Sequence, residues 1–387
     1  MRVPQTLVCF LQHQSGVRLE SSRVFGLDVM RASAISLVLL NHVALFFPQA
    51  GSFFEIGLLA GYLGVELFFV LSGFLIGGIL FRTFENESSA RSLANFWQRR
   101  WLRTLPNYFL FLVLNVLLAG WLARGIPSVL PYLFFFQNVT ARPQPFFVES
   151  WSLAVEEWFY ILVPVLFLVA IKVSRKSFRI SSLFIIGLGI LAVTAARSLY
   201  VLATHPLWLT DVRMIVVYRL DACMFGVLAA WMKHYHPEQW QRTPRVLFLA
   251  GVALLVGVAS LPFLLPTDSL FPHSIGFTFT SVGALLLLPS LDRWTFTHAG
   301  GSFAVLKISL WSYSIYLVNL PVHSALNHLL PQASPFFLAA AFLFFSIALS
   351  ALIYRCYEKP IMNLRRRTAV RSVDFALDNA APMMAKN

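Results

Sequence analysis

Apolar residues along this chain come in long runs separated by short polar and basic stretches, and the length of the runs decides the first structural question. A helix that crosses a bilayer needs about 17 to 25 predominantly apolar residues. Ten stretches meet that length: 27–47, 57–81, 104–123, 151–171, 181–203, 214–232, 245–265, 273–291, 305–326 and 335–354. The segment 128–137, VLPYLFFFQN, is apolar but too short to span, so residues 124–150 are expected to form an external loop with an interfacial or re-entrant piece. The pattern predicts an all-α polytopic membrane protein with about ten transmembrane helices. It forms one membrane domain over 24–367, preceded by a cytoplasmic segment 1–23 and followed by a cytoplasmic tail 368–387 that is expected to be disordered.

Composition agrees with that class. Hydrophobic residues make up 58% and charged residues 12% of the 387 positions, too few charges for a soluble chain of this size to cover its surface. The net charge of +13 does not point to nucleic acid, because the basic residues are dispersed between the apolar runs. With the N-terminus inside, most of the 30 lysines and arginines fall in cytoplasmic segments, and only Arg124, Arg142 and Arg213 fall on the other side. The positive-inside rule therefore predicts N-in and C-in. Residues 1–23 lack an uninterrupted apolar core and a small-residue cleavage site, so the first helix is expected to do the targeting. Cys9, Cys223 and Cys356 have no paired or metal-ligand spacing. No HExxH, P-loop or GxSxG pattern occurs, and His42 lacks the following Asp of the soluble HxxxxD motif. No metal, permanently bound cofactor, redox or ATP-driven chemistry is expected.

Candidate chemistry lies in the polar groups within the spans. Ionisable side chains in hydrocarbon are costly and are usually kept to line a path or a site. Arg31 and His42 are eleven residues apart on span one, three helical turns or roughly 16 Å, and so share one face at two depths. His42, Glu66, Glu156 with Glu157, and Arg219 with Asp221 are placed in the outer third, while Arg31, Arg99, Arg100 and Arg103 form an inner basic layer. Ser309, Ser312, Tyr316, Asn319 and His323 recur every three or four residues of span nine as a polar stripe facing the bundle. Plainer readings stand beside these. A lone membrane histidine can simply hydrogen-bond across helices, and Arg99, Arg100 and Arg103 can be ordinary positive-inside flanks. Arg100 and Arg103, at i and i+3, do point the same way, as a phosphate clamp requires. Of the adjacent pair Glu156 and Glu157 only one is expected to look inward, and Arg219 and Asp221 each need a partner on another helix. Gly61, Gly64, Gly73, Gly77 and Gly78, with Ser72, are read as packing positions.

The order of these groups resembles the acyltransferase 3 family of integral-membrane O-acyltransferases. The resemblance rests on LDVMRASAISLVLLNH with Arg31 and His42, GVELFFVLSGFLI at 64–76, FWQRRWLRTLPNY at 96–108, WSLAVEEWFYILVP at 151–164, YRLDACMFG at 218–226, SYSIYLVNLPV at 312–322 and YEKP at 357–360. It implies ten transmembrane helices, an acyl-CoA co-substrate bound from the cytoplasmic side, and delivery of an acyl group to a hydroxyl of a glycan, lipid-linked sugar or small acceptor. It further implies a bacterial inner-membrane location. Functional weight passes from the family to Arg31, His42, Arg100, Arg103 and Glu156. One departure stands out: Asn319 occupies the position of a histidine in the family's usual YLxHxP, and an amide cannot carry a proton at neutral pH. His323 is no obvious substitute.

The resulting expectation is that Arg31, Arg100 and Arg103 bind the donor, His42 acts as general base on the acceptor hydroxyl or as an acyl carrier, and Glu156 orients or stabilises the imidazole. Glu66, Arg219, Asp221, Tyr316 and Asn319 are supporting polar groups. Two rivals remain on sequence grounds: a proton-coupled transporter or exporter, and an inactive glycan-binding relative. No inverted repeat favours the transporter.

Overall fold

A computed structural model describes residues 24–86, 88–173, 177–242, 244–261, 271–296 and 300–363. The expectations for residues 1–23 and for the tail 368–387 lie outside the described residues.

Ten helices correspond to the ten predicted spans: α1 (Phe25–Ala44), α2 (Ser52–Asn86), α3 (Ala90–Trp121), α4 (Ser150–Val173), α5 (Phe178–Thr204), α6 (Leu220–Tyr235), α7 (Pro244–Ser260), α8 (Gly276–Leu291), α9 (Gly300–Leu329) and α10 (Pro335–Ile353). No strand occurs among the described residues. A chain immersed in hydrocarbon must satisfy its own backbone polar groups, which leaves helices as the solution for runs this apolar. Among the described residues eight helical stretches are long and apolar enough to cross a membrane, and the exceptions among the ten helices are α6 and α7. The molecule is an all-α polytopic membrane protein.

Three boundaries differ from the hydropathy pattern for physical reasons. Span three begins at Ala90 and not at 104, because the basic stretch through Arg103 is already helical; Ser89 and Ser92 cap it reciprocally. Span six begins at Leu220 and not at 214, because the preceding chain forms a π turn (Trp208–Arg213) and a 3-10 turn (Val216–Tyr218). Its amides serve the external loop instead: Val216 N–H donates to Asn138 O at 2.9 Å, and the Asn138 side chain returns a bond to Met214 O at 2.6 Å. The loop segment 128–137 contains only one helical turn, Leu130–Leu133, and does not cross the bundle. Tyr132 is buried there while Leu130, Phe134 and Phe136 are exposed, as an interfacial piece would be.

α2 is the central element and packs against α1 on one side and α6 on the other. Glycine makes both approaches possible. A Cβ at Gly73 would overlap the Cys223 carbonyl, and one at Gly226 would overlap the Val70 carbonyl, so neither position admits a side chain without parting α2 from α6. Gly64 and Gly77 pack likewise, against Ala34 and Ala230, whereas a Cβ at Gly78 would make only an ordinary contact with the Arg82 side chain at 3.8 Å. α9 packs on α1, with α10 and α3 beside it; α4 bridges α2, α3, α5 and α6; α7 and α8 pair at the edge.

Candidate functional site

Five helices leave a buried chamber of about 110 Å³ beside α2. Its polar lining comes from Arg31 on α1, Ser72 on α2, Arg100 and Arg103 on α3, Glu156 on α4 and Tyr316 on α9. A wider vestibule of about 620 Å³ lies toward the end of the bundle that carries the α2–α3 connection, here the basic end. Arg31, Leu75 and Arg103 line both spaces, so the vestibule leads into the chamber past two guanidinium groups. Arg82, Lys233 and His234 add basic groups to the vestibule wall, with Asp28, Asp292 and Glu358 opposing them.

Within the chamber the side chains are fixed by one another. Arg100 lies 3.5 Å from Glu156, and its guanidinium sits 4.1 Å over the Tyr160 ring while donating to the Tyr160 hydroxyl. That hydroxyl also donates to Glu156 at 2.7 Å and meets Ser72 Oγ at 2.6 Å. Glu157, turned about 100° around the helix, instead takes bonds from Thr104 at 2.9 Å and Trp101 at 3.2 Å and is buried against α3. Only Glu156 of the pair therefore faces the chamber. Arg31 is held by Asp28 at 3.5 Å and Ser309 at 3.4 Å, and Ser309 in turn donates to Asp28 at 2.6 Å.

The polar stripe of α9 faces the bundle as its spacing predicts. Ser312 and Tyr316 line the chamber, and the Tyr316 hydroxyl meets Ser152 Oγ at 2.6 Å. Asn319 is fully buried but turns its amide back to its own helix, donating to Ile315 O at 3.0 Å and Tyr316 O at 2.8 Å. Just beyond α10, Glu358 of the YEKP stretch accepts from Ser314 at 2.8 Å and Asn107 at 3.1 Å and so ties α9 to α3.

Two of the expected placements are corrected. Glu156 was assigned to an outer layer with His42, but it belongs with the arginines, because Arg100 and Arg103 are residues of a helix whose side chains enter the bundle beside α4. His42 does not line the chamber. Its Nδ1 is buried without a hydrogen-bond partner, and the groups acting on it electrostatically are His323 and Arg213. The second correction concerns His323 itself. Phe46, in the turn just past the end of α1, lies tilted against the His323 ring at 4.4 Å, and His323, one turn beyond Asn319 on α9, is within electrostatic reach of His42.

Arg213, read from the sequence as an outer-loop residue, is buried. It donates to Gly61 O at 3.0 Å and lies over the rings of Tyr62, Trp151 and Trp208 at 5.4 to 5.8 Å. Its charge is within electrostatic reach of both Tyr316 of the chamber and His42.

The remaining intramembrane charges pair away from the chamber. Arg219 binds Glu66, and Arg197 binds Asp221 at 2.8 Å, all four side chains being inaccessible. These pairs lock α2, α5 and α6 and answer the expectation that Arg219 and Asp221 look to other helices. On the far surface Arg142 bonds Asp211 at 2.6 Å, closing the external loop onto the turn before α6. Burial works against the Asp211 carboxylate, but the Arg142 side chain, the Leu207 N–H and the Thr210 hydroxyl outweigh it and hold the carboxyl below its usual range. No group of three or more metal-ligating side chains occurs among the described residues.

Fold and site define a multi-pass membrane protein built around an arginine-lined chamber that opens toward one end of the bundle. The family model for the acyltransferase domain matches residues 24–355, and the chain belongs to the acyltransferase 3 family. Among similar proteins, the peptidoglycan O-acetyltransferase OatA of Listeria monocytogenes is 26% identical over 333 residues, covering 80% of this chain and 51% of that protein. A Staphylococcus aureus protein provisionally named an O-acetyltransferase is 24% identical over 377 residues, 90% of this chain and 58% of its own. YrhL of Bacillus subtilis, provisionally named a peptidoglycan O-acetyltransferase, is 25% identical, with 90% and 56% covered. The chain thus spans about half the length of these relatives. No solved structure matches it.

Proposed function

We propose that this protein is an O-acyltransferase of the bacterial cytoplasmic membrane that moves an acyl group, acetyl in the first instance, from acyl-CoA to a hydroxyl of a carbohydrate acceptor. The observation that carries the reading is the pair of guanidinium groups, Arg31 and Arg103, shared by a wide basic vestibule and a narrower chamber that also holds Arg100. Arginine forks match phosphate oxygens, and a vestibule of this size receives a nucleotide head while a thin thioester arm continues inward. Names of the relatives support acetyl as the group and glycan as the acceptor. In this reading the basic end is cytoplasmic, with both termini on that side, as the distribution of Lys and Arg requires.

The chemistry assigned to the chain is the following. His42 takes the proton of the acceptor hydroxyl, whose oxygen attacks the thioester carbonyl; the C–S bond breaks, and the departing thiolate recovers the proton. The products are the ester and free CoA, and the thioester itself supplies the driving force. Arg213 lies where it can stabilise negative charge developing between His42 and Tyr316. His323 stands where it can exchange a proton with His42, the part that Asn319 cannot play.

The test uses purified protein in proteoliposomes with radiolabelled acetyl-CoA. Wild type is expected to transfer label to glycan, and His42→Ala to lose transfer while keeping CoA affinity. Turnover retained by His42→Ala removes His42 from the mechanism, and uptake of label without ester formation replaces the transferase reading with a transporter.

A further inference from the structure

A carboxylate that the sequence pattern did not mark lies at the opposite end of the bundle from the vestibule. Glu149 directly precedes α4; it is 4% exposed, and its Oε1 is buried with no hydrogen-bond partner. A buried acceptor of this kind is rarely left unmatched in a folded protein. It lines a pocket of about 100 Å³ between the last turns of α3, the chain entering α4 and the middle of α9. The walls are apolar, with Leu122, Phe146, Phe147 and Pro321, and the other side-chain polar groups on them are Asn115, Arg124 and Ser324. Phe147 is held at φ 43°, in the left-handed region, two residues before the carboxylate.

Apolar walls with a few convergent polar atoms suit a ligand that alternates carbon faces with hydroxyls. The volume corresponds to about three waters, enough for one edge of a pyranose ring and not for a glycan chain, whose remainder would stay outside. The pocket is also joined to the chamber. The Tyr316 hydroxyl, which lines the chamber, donates to the backbone carbonyl of Glu149 at 3.2 Å, and so does Ser152 at 3.4 Å. One residue therefore lines the outer pocket while its carbonyl is bonded by two side chains that line the chamber.

We propose that this pocket docks a sugar of the acceptor, with the Glu149 carboxylate accepting the hydrogen bond of a sugar hydroxyl. The proposal rests on the transferase reading above and names the face from which the acceptor enters. Glu149 is a substrate-binding residue in this account, distinct from His42, which performs the proton transfer.

The test uses the full chain in proteoliposomes, acetyl-CoA as donor and soluble peptidoglycan fragments as the acceptor probe. Glu149→Leu, which fills the space without an acceptor atom, is expected to raise the KM for the fragments at least tenfold and leave the KM for acetyl-CoA within twofold. Glu149→Gln keeps a carbonyl oxygen and is expected to stay within threefold of wild type on both. A fragment KM unchanged in Glu149→Leu overturns the proposal, and so does a parallel rise in both KM values, which marks a structural role. If wild type transfers no label, the transferase reading fails by itself. Fragment binding then decides the pocket by tryptophan fluorescence: tenfold weaker binding to Glu149→Leu sustains it, and equal binding or none overturns it.

Discussion

Removing Arg100 tests the donor site most directly, because its partner Glu156 makes the effect divisible. The two side chains are 3.5 Å apart and 16% and 18% exposed, so the pair is largely sheltered. At an effective dielectric near 20 the gross attraction at that distance is about 5 kcal/mol, most of which the desolvation of both groups offsets. A phosphate oxygen of CoA held at the neck beside Arg31 and Arg103 competes with Glu156 for the same guanidinium. Arg100→Ala forfeits a charge-assisted bond to that phosphate worth roughly 1.5–3 kcal/mol, which is about 10- to 150-fold in CoA affinity. Glu156→Gln should act the other way, releasing Arg100 to the ligand and tightening CoA by roughly tenfold. In the double variant the Gln substitution should have no further effect, giving a coupling energy of about 1.4 kcal/mol. Isothermal titration of CoA into protein held in nanodiscs measures all four corners of the cycle. If Glu156→Gln shifts the affinity equally with and without Arg100, the two residues do not share a ligand and the donor-site reasoning is wrong.

Three further outcomes follow from the packing. Gly73→Leu should prevent assembly of α2 with α6, since the new side chain would enter the Cys223 carbonyl; detergent-solubilised protein should aggregate on size exclusion, whereas Gly187→Leu on α5, where an added Cβ meets nothing within 4 Å, should remain monodisperse. Asp221→Ala leaves Arg197 charged and unpaired at zero exposure and should cost about 3–5 kcal/mol, read as a lowered midpoint in a fluorescence thermal melt. Asp221→Asn should cost less, because its amide oxygen keeps a partial negative charge beside the guanidinium and leaves no cavity. Acidification should loosen the external loop: the Asp211 carboxyl titrates lower in the folded chain than its ordinary value near 3.8, so its contribution is complete above that value and is lost as pH falls through the folded one. Hydrogen exchange across residues 124–149 should rise over that window in wild type and be pH-insensitive there in Arg142→Ala.

Much of the architecture was legible because a lipid environment turns hydropathy directly into structure. Each of the ten apolar runs became a helix, and the i, i+3 relation of Arg100 and Arg103 survives as two side chains in one chamber. Helix ends were less legible. Hydropathy loses the helix at the basic residues 91–103, where capping and amphipathic contacts continue it, and overruns into 214–219, where the backbone bonds to Asn138 and Val139. Depth was the weakest inference. Counting residues from a helix end placed Glu156 near His42, but which group meets which depends on the long reach of arginine side chains and on helix pairing that has no local signature. The same holds for the far partners: nothing in the sequence near Asp221 names Arg197, and nothing near His42 names Arg213 or His323. Glu149 escaped notice because one carboxylate ahead of a helix reads as an ordinary N-terminal charge, and only burial distinguishes it.

The narrowness of the chamber bears on the membrane as an electrical insulator. A cell that maintains 100 mV across this bilayer stores about 2.3 kcal/mol in each elementary charge held back. Any protein that brings water and buried charges in from both faces risks discharging that store. Here the wide space stops at Arg31 and Arg103, and what lies beyond holds only a few waters between cationic groups. Sodium ions and protons moving inward from the far side would meet fixed positive charge in a space too small for a hydrated file. The same arginines assigned to an anionic donor would therefore keep the membrane sealed while the donor site stands empty.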